Sequence, residues 1–306
     1  MEISALKNGD VVLFSPEKGS FLSEAICLLT DSNVSHAAMV YNVTDNENST
    51  IIEESPPKVA INNAKRRFTN RIIYVRRLQG NLDMSPVIKQ SELFFNEEIP
   101  YNDPELYMLG LLLVYKKFSI SDPLQEIIIK ILKKLSLELV DIIDKIKYDG
   151  KKAMICSEFV DKCYNNSGDN YKLIIKNGVL SSSKTDNFIE NKNLVDISLD
   201  YLENNVVLGS SILSNEEEKS FEKLAEEFCE EFRKNAEPTG TIKTELLQSV
   251  QKFALLHHRI RNGFDTEENH ALKSLKSDES MFVFPCDLLN HCENLEEVGV
   301  IELKAL

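Results

Sequence analysis

The chain has 306 residues, with 35 Lys and Arg against 49 Asp and Glu, giving a formal net charge of −14. So negative a balance argues against a nucleic-acid partner held by its phosphates and against an anionic membrane surface. At 42% hydrophobic and 27% charged residues, the composition is that of a folded chain with a real core, which excludes wholly disordered and fibrous classes.

The opening MEISALKNGD lacks a basic start followed by an apolar stretch, so no secretory leader is expected. The expectation is a protein that stays in the cytoplasm of the producing cell or leaves it without a classical signal, delivery into a host cell included. The Asn- and Lys-rich, Trp-free composition fits an AT-rich microbial genome. No apolar run reaches the ~18 residues of a membrane span, so stable insertion is not expected. The 6 Cys match no zinc-ribbon spacing and HExxH is absent, so neither a metal nor a cofactor is expected. The pair His257–His258 reads as packing or surface.

In chain order, Gly9–Ser15 (GDVVLFS) is a turn running into an apolar strand, Ser20–Ser32 an amphipathic helix with polar caps, and Ser35–Val43 a second strand. Ser49–Ser55 is a third strand, broken at Pro56–Pro57 and continued by Lys58–Ile61, and Asn70–Leu78 is the clearest of the set. The gaps are too short for crossover helices, which predicts a small antiparallel or mixed sheet. From Ser85 the period turns helical, Ile99–Glu105 is a turn, and two helical segments follow to about Lys147. The aliphatic faces of Leu106–Tyr115 and Ile127–Ile146 suit either core packing or a cleft for an acyl chain. Lys151–Tyr164 runs into another helix. Residues Asn187–Ser214 are poorly periodic and read as a linker or irregular extension. Two long helices lie within Asn215–Glu237 and Thr241–Gly263, joined at Pro238–Gly240 and stopped at Gly263. They predict an αα-hairpin packed on the first unit, because neither apolar stripe is buried alone. The fold class is α+β.

Two residues far apart in the chain carry candidate chemistry: His36, at the mouth of a strand, and Cys156, at the start of a helix. A cysteine at a helix N-terminus sits where backbone N–H groups favour the thiolate, and a neighbouring imidazole adds to that preference. By residue type alone Cys156 also reads as a buried core thiol. Side-chain alternation puts Ile51 and Glu53 on one strand face and Ile52 and Glu54 on the other, so only one glutamate can point at the imidazole. Which one is left open by the sequence. Glu158 reads as a first-turn helix acid or salt-bridge partner, since an anion beside the thiolate would raise its pKa.

Taken in order, Gly9-Asp10-Val11-Val12-Leu13, Ser35-His36-Ala37-Ala38, Ile51–Glu54 ahead of a proline turn, and Cys156-Ser157-Glu158-Phe159-Val160 resemble the circularly permuted branch of the NlpC/P60 papain-like hydrolases. In that branch the histidine strand precedes the cysteine helix. The likeness spans residues 9–80 and 151–165, with fainter pieces at 95–105 and 282–299. It implies an α+β, permuted papain-like core with a small antiparallel sheet and helical insertions. It also implies Cys156 as nucleophile, His36 as general base and Glu53 as the third catalytic residue, with Glu54 the alternate register. Ser35, Ser157, Tyr101 and Asn102 are then expected to line the cleft, with Glu98 where relatives carry glycine. Pro285-Cys286-Asp287-Leu288 resembles a Pro-x-Asp-Leu segment of the same group, or else caps a helix through Asp287.

The organisation that follows is a catalytic domain over 1–165 with a helical insertion at about 103–147, a mostly helical acidic addition over 166–280, and a tail over 281–306 packing back on the catalytic domain. The implied reaction is cleavage of an amide, ester or thioester through an acyl-enzyme on Cys156. Permuted relatives include acyltransferases acting on lipids, which gives a second reading. A third is a non-catalytic interaction module on the same frame, in which the acidic addition binds a basic protein. Residues 1–80 hold 9 acids and 9 bases, whereas 201–306 hold 21 acids against 11 bases, so the charge belongs to the addition rather than to the proposed chemistry.

Overall fold

A computed structural model describes residues 1–55, 58–98, 104–118, 120–145, 154–180, 192–204, 219–234, 237, 241–278 and 281–304. Six strands form one sheet: β1 (Val11–Phe14), β2 (His36–Asn42), β3 (Thr50–Ser55), β4 (Lys58–Asn63), β5 (Ile72–Leu78) and β6 (Leu295–Glu302). Their order is β4-β3-β2-β1-β5-β6, and every neighbouring pair is antiparallel. Lys58–Ile61 does not continue the preceding strand as expected. The register Ser55↔Lys58 to Thr50↔Asn63 makes it the return arm of a hairpin, and two consecutive prolines in the sequence offer no backbone N–H with which to continue a ladder.

Eleven helices accompany the sheet among the described residues, which makes the fold α+β. The first six are α1 (Phe21–Thr30), α2 (Ala64–Phe68), α3 (Ser85–Asn96), α4 (Pro104–Tyr115), α5 (Asp122–Lys145) and α6 (Cys156–Asn165). The others are α7 (Leu194–Asn204), α8 (Phe221–Arg233), α9 (Thr244–Asn262), α10 (Glu268–Asp278) and α11 (Pro285–Asn290). None is long and apolar enough to cross a membrane.

Strand alternation divides the core in two. Val11, Leu13, Ala37, Met39 and Ile52 face the helical body, while Val12, Phe14, Ala38, Val40 and Ile51 face a smaller cluster closed by Ile3, Leu6 and Phe68. Helix α4 is buried along the whole of Tyr107–Tyr115, as an all-round apolar helix must be. Ile128, Ile131 and Leu135 of α5 are also core residues, so these aliphatic faces pack rather than line a cleft. Helix α8 packs on α1 and α5, and helix α9 on α5 and α10, so the two do not form a self-contained hairpin. Gly263 ends α9 in the left-handed conformation (φ 81°), its N–H bonded to Arg259 O.

The acids of α8 are largely engaged within the chain. Glu222 accepts from Phe21 N at 2.8 Å and from Ser20 Oγ at 3.1 Å, capping α1 from outside. Glu226, Glu227 and Glu231 pair with Lys223, Lys219 and Lys234. The segment expected to be irregular contains α7, whose Leu194, Val195 and Leu199 are buried against α4, α9 and α10. The tail returns to the sheet as β6, paired with β5.

Candidate active site

The motif residues Gly9 and Asp10 shape the frame rather than the chemistry. Gly9 has φ 86°, and the Asp10 carboxylate accepts Arg77 Nε and Nη2 at 2.6 and 2.7 Å, pinning β1 to β5. Tyr164 of α6 donates its buried hydroxyl to Gly9 O, which ties the cysteine helix to the same turn. At the other end of β1, Phe14 is paired with His36 in register and meets its ring edge-on at 5.2 Å.

His36 Nε2 lies 2.6 Å from Glu53 Oε2, with both side chains buried. Three further donors reach the same carboxylate: Arg67 Nε to Oε1 at 2.7 Å, Arg67 Nη2 to Oε2 at 2.9 Å and Asn62 Nδ2 to Oε1 at 2.8 Å. Burial alone would raise the Glu53 pKa, but these hydrogen bonds and the charges of His36 and Arg67 outweigh it and hold the carboxyl at about 2. With Nε2 engaged by Glu53, Nδ1 is the other ring nitrogen, and Cys156 is near enough to bear on the charge of the imidazole. Burial opposes a charged His36. The charge and hydrogen bond of Cys156, together with Glu53, more than offset that and raise it to about 10.

Cys156 is the first residue of α6, and Ile155 ahead of it is extended (φ −86°, ψ 162°). The first-turn N–H groups of such a helix have no intrahelical acceptor and present partial positive charge at the thiol. Helix α6 packs on β2 and β3, and its Glu158 is buried. Glu158 Oε1 accepts Lys162 Nζ at 2.7 Å and Arg261 Nη1 of α9 at 2.8 Å. Burial would raise the Glu158 pKa, yet the two cations bring it below the usual range. This carboxylate anchors α6 to α9 through Arg261.

The remaining expected site residues fall in different places. Glu54 is buried with neither carboxylate oxygen hydrogen-bonded. Burial pushes it up to about 9, Glu158 adding to the rise and His36 opposing it. Ser35 is buried with its hydroxyl unpartnered. Ser157, expected in the cleft, instead points inward and donates to Val283 O at 2.5 Å, because the second residue of α6 faces the tail segment. Tyr101 and Asn102 lie outside the described residues. Glu98 has φ 47°, the left-handed backbone that glycine adopts freely, and it pairs with Lys58. Asp287 caps α11, accepting Phe284 N at 2.9 Å, and also accepts Val179 N at 2.7 Å.

A cavity of about 670 Å³ opens beside the pair, lined by His36, Glu54, Asn62, Arg66, Arg67 and Arg71 among others. Cys156 itself is fully buried and is not among the residues that line this cavity. Arg67 and Asn62 were not anticipated. The signal was the Lys65-Arg66-Arg67 run just after β4, which the hairpin folds back over Glu53. Among the described residues, no group of three or more His, Cys, Asp or Glu side chains is arranged to hold a metal ion. Comparison with protein-family models finds no match, and neither does comparison with curated proteins.

Proposed function

We propose that the protein is a cysteine hydrolase of the permuted papain-like type that forms an acyl-enzyme on Cys156. The observation that carries this reading is the buried His36 Nε2 to Glu53 Oε2 bond of 2.6 Å on the two strands against which the Cys156 helix α6 packs. Nucleophile, base and orienting acid come from a helix start and two adjacent strands, which is the arrangement a thiol acyl-transfer site requires.

In this reading His36 takes the thiol proton of Cys156 as general base, and Glu53, itself fixed by Arg67 and Asn62, sets the tautomer and orientation of the ring. The Cys156 thiolate adds to the carbonyl carbon of an amide, ester or thioester. Backbone N–H groups at the start of α6 receive the oxyanion. His36 then gives its proton to the leaving group, and water, activated by the same imidazole, releases the acid. A hydroxyl or amine in place of that water would make the same site an acyltransferase.

The test is alkylation by an iodoacetamide probe, followed by peptide mapping, for wild type, C156A and H36A. The expected result is labelling at Cys156 that is fast in wild type, absent in C156A and strongly slowed in H36A. Equal labelling of all three proteins would refute the reading.

A further inference from the structure

We propose that Glu54 donates a hydrogen bond from its carboxyl to the substrate carbonyl oxygen, completing the oxyanion site together with the backbone N–H groups of α6. The inference rests on the cysteine-hydrolase reading and adds a residue to it.

Geometry comes first. Glu53 and Glu54 are neighbours on β3 and so point to opposite faces of the sheet. Glu53 serves the imidazole. Glu54 sits opposite Val59, a member of the core cluster that also contains Ile155, Cys156 and Phe159, so its side chain is on the face where α6 packs. Glu54 lines the cavity that His36 opens onto, is 0% exposed, and has no hydrogen-bond partner at either oxygen. Buried carboxyls are normally satisfied, and one left open at the wall of a cleft points to a partner that arrives with the substrate.

Chemistry selects which partner. The ionisable groups that bear on Glu54 are His36 on β2 and Glu158 on α6, and burial dominates both, so the carboxyl keeps its proton at neutral pH. A protonated carboxyl offers one O–H donor. It cannot act as a base, and it adds no charge to the Cys156–His36 pair. As the thiolate adds, the carbonyl π pair moves onto oxygen, and the Glu54 O–H donates to that oxygen without giving up its proton. When the intermediate collapses, the pair returns to the carbonyl, the bond to the leaving group breaks, and the departing atom takes its proton from His36. A carboxylic acid held neutral by its surroundings is a known way to place such a donor.

The experiment compares two reactions of the same thiol in the full-length protein. Acetylation by p-nitrophenyl acetate passes through an oxyanion, whereas alkylation by iodoacetamide, a displacement at carbon, does not. The expected result is that E54A slows acetylation about 100-fold, the loss typical of one oxyanion donor, and leaves alkylation at the wild-type rate. E54Q, whose amide also donates, restores most of the acetylation. Acetylation at the wild-type rate in E54A would overturn the proposal. So would a parallel fall in alkylation, which would mark a structural effect on the thiol, or an E54Q as slow as E54A. Loss of Cys156-dependence in both reactions would instead overturn the cysteine-hydrolase reading, so the two failures are distinguishable.

Discussion

Replacing Arg261 with methionine tests how the helical addition holds the candidate nucleophile. Arg261 Nη1 lies 2.8 Å from Glu158 Oε1, with side-chain exposures of 4% and 1%, so both charges are out of water. Removing one partner of such a pair costs about 3–5 kcal/mol, because the other is left buried without its counter-charge. Glu158 keeps Lys162 at 2.7 Å, but that lysine is 25% exposed and belongs to the same helix. The cost of R261M is therefore expected at the low end, about 3 kcal/mol. Urea unfolding with unchanged m-value measures it. The double variant E158Q/R261M should be more stable than the sum of the single changes allows, by about 1–3 kcal/mol, since it leaves no orphaned charge. Labelling of Cys156 should slow in R261M, because the first turn of α6 loses its tie to α9. A loss of about 1 kcal/mol or less, the size expected of an exposed ion pair, or strict additivity in the double variant, would refute this reasoning.

E53Q should slow Cys156 alkylation by at least about 100-fold, since it removes the carboxylate that fixes and stabilises the imidazolium; a wild-type rate would count against Glu53 as the orienting acid. The folded-state pKa of Glu54, about 9, lies above the ordinary carboxyl value, so the native protein holds a proton that the unfolded chain releases. Stability should therefore fall as pH rises from about 4.3 toward about 9, by up to about 1.4 kcal/mol per unit from this group, and E54Q should flatten that slope. Denaturant titrations at several pH values check this, and identical slopes for the two proteins would contradict it. In α4, G110A should destabilise by about 1–3 kcal/mol despite the better helix propensity of alanine. A Cβ there would come within 2.3 Å of Leu135 Cδ2 and 3.0 Å of Phe253 Cε2. A rise in unfolding midpoint would show that α4 and α5 repack freely.

The strands and the long helices were legible because their period is local. Val11–Phe14, His36–Asn42 and Ile72–Leu78 are apolar runs bounded by turn residues, and α5 and α9 repeat apolar residues at helical spacing. Alternation also narrowed the partner of His36 to one glutamate of two, and the structure puts Glu53 there. Helix α7 was hidden because Val195, Ile197, Leu199 and Tyr201 alternate with polar residues. That strand-like period overlies a helical one, and packing against α4, α9 and α10 decides between them. Strand β6 was hidden by its acids and by the register shift opposite Val75 and Arg76, which breaks the alternation. Arg261 and Arg67 reach the site across 103 and 14 residues of sequence, and no local pattern encodes such pairings.

The most direct test of the chemistry is the mass of the protein after brief reaction with p-nitrophenyl acetate, followed by peptide mapping. One acetyl group on Cys156 is expected, forming slowly in H36A, missing in C156A, and released by water on standing. Acetylation at another residue, or p-nitrophenol release that is the same in wild type and C156A, would contradict a cysteine acyl-enzyme.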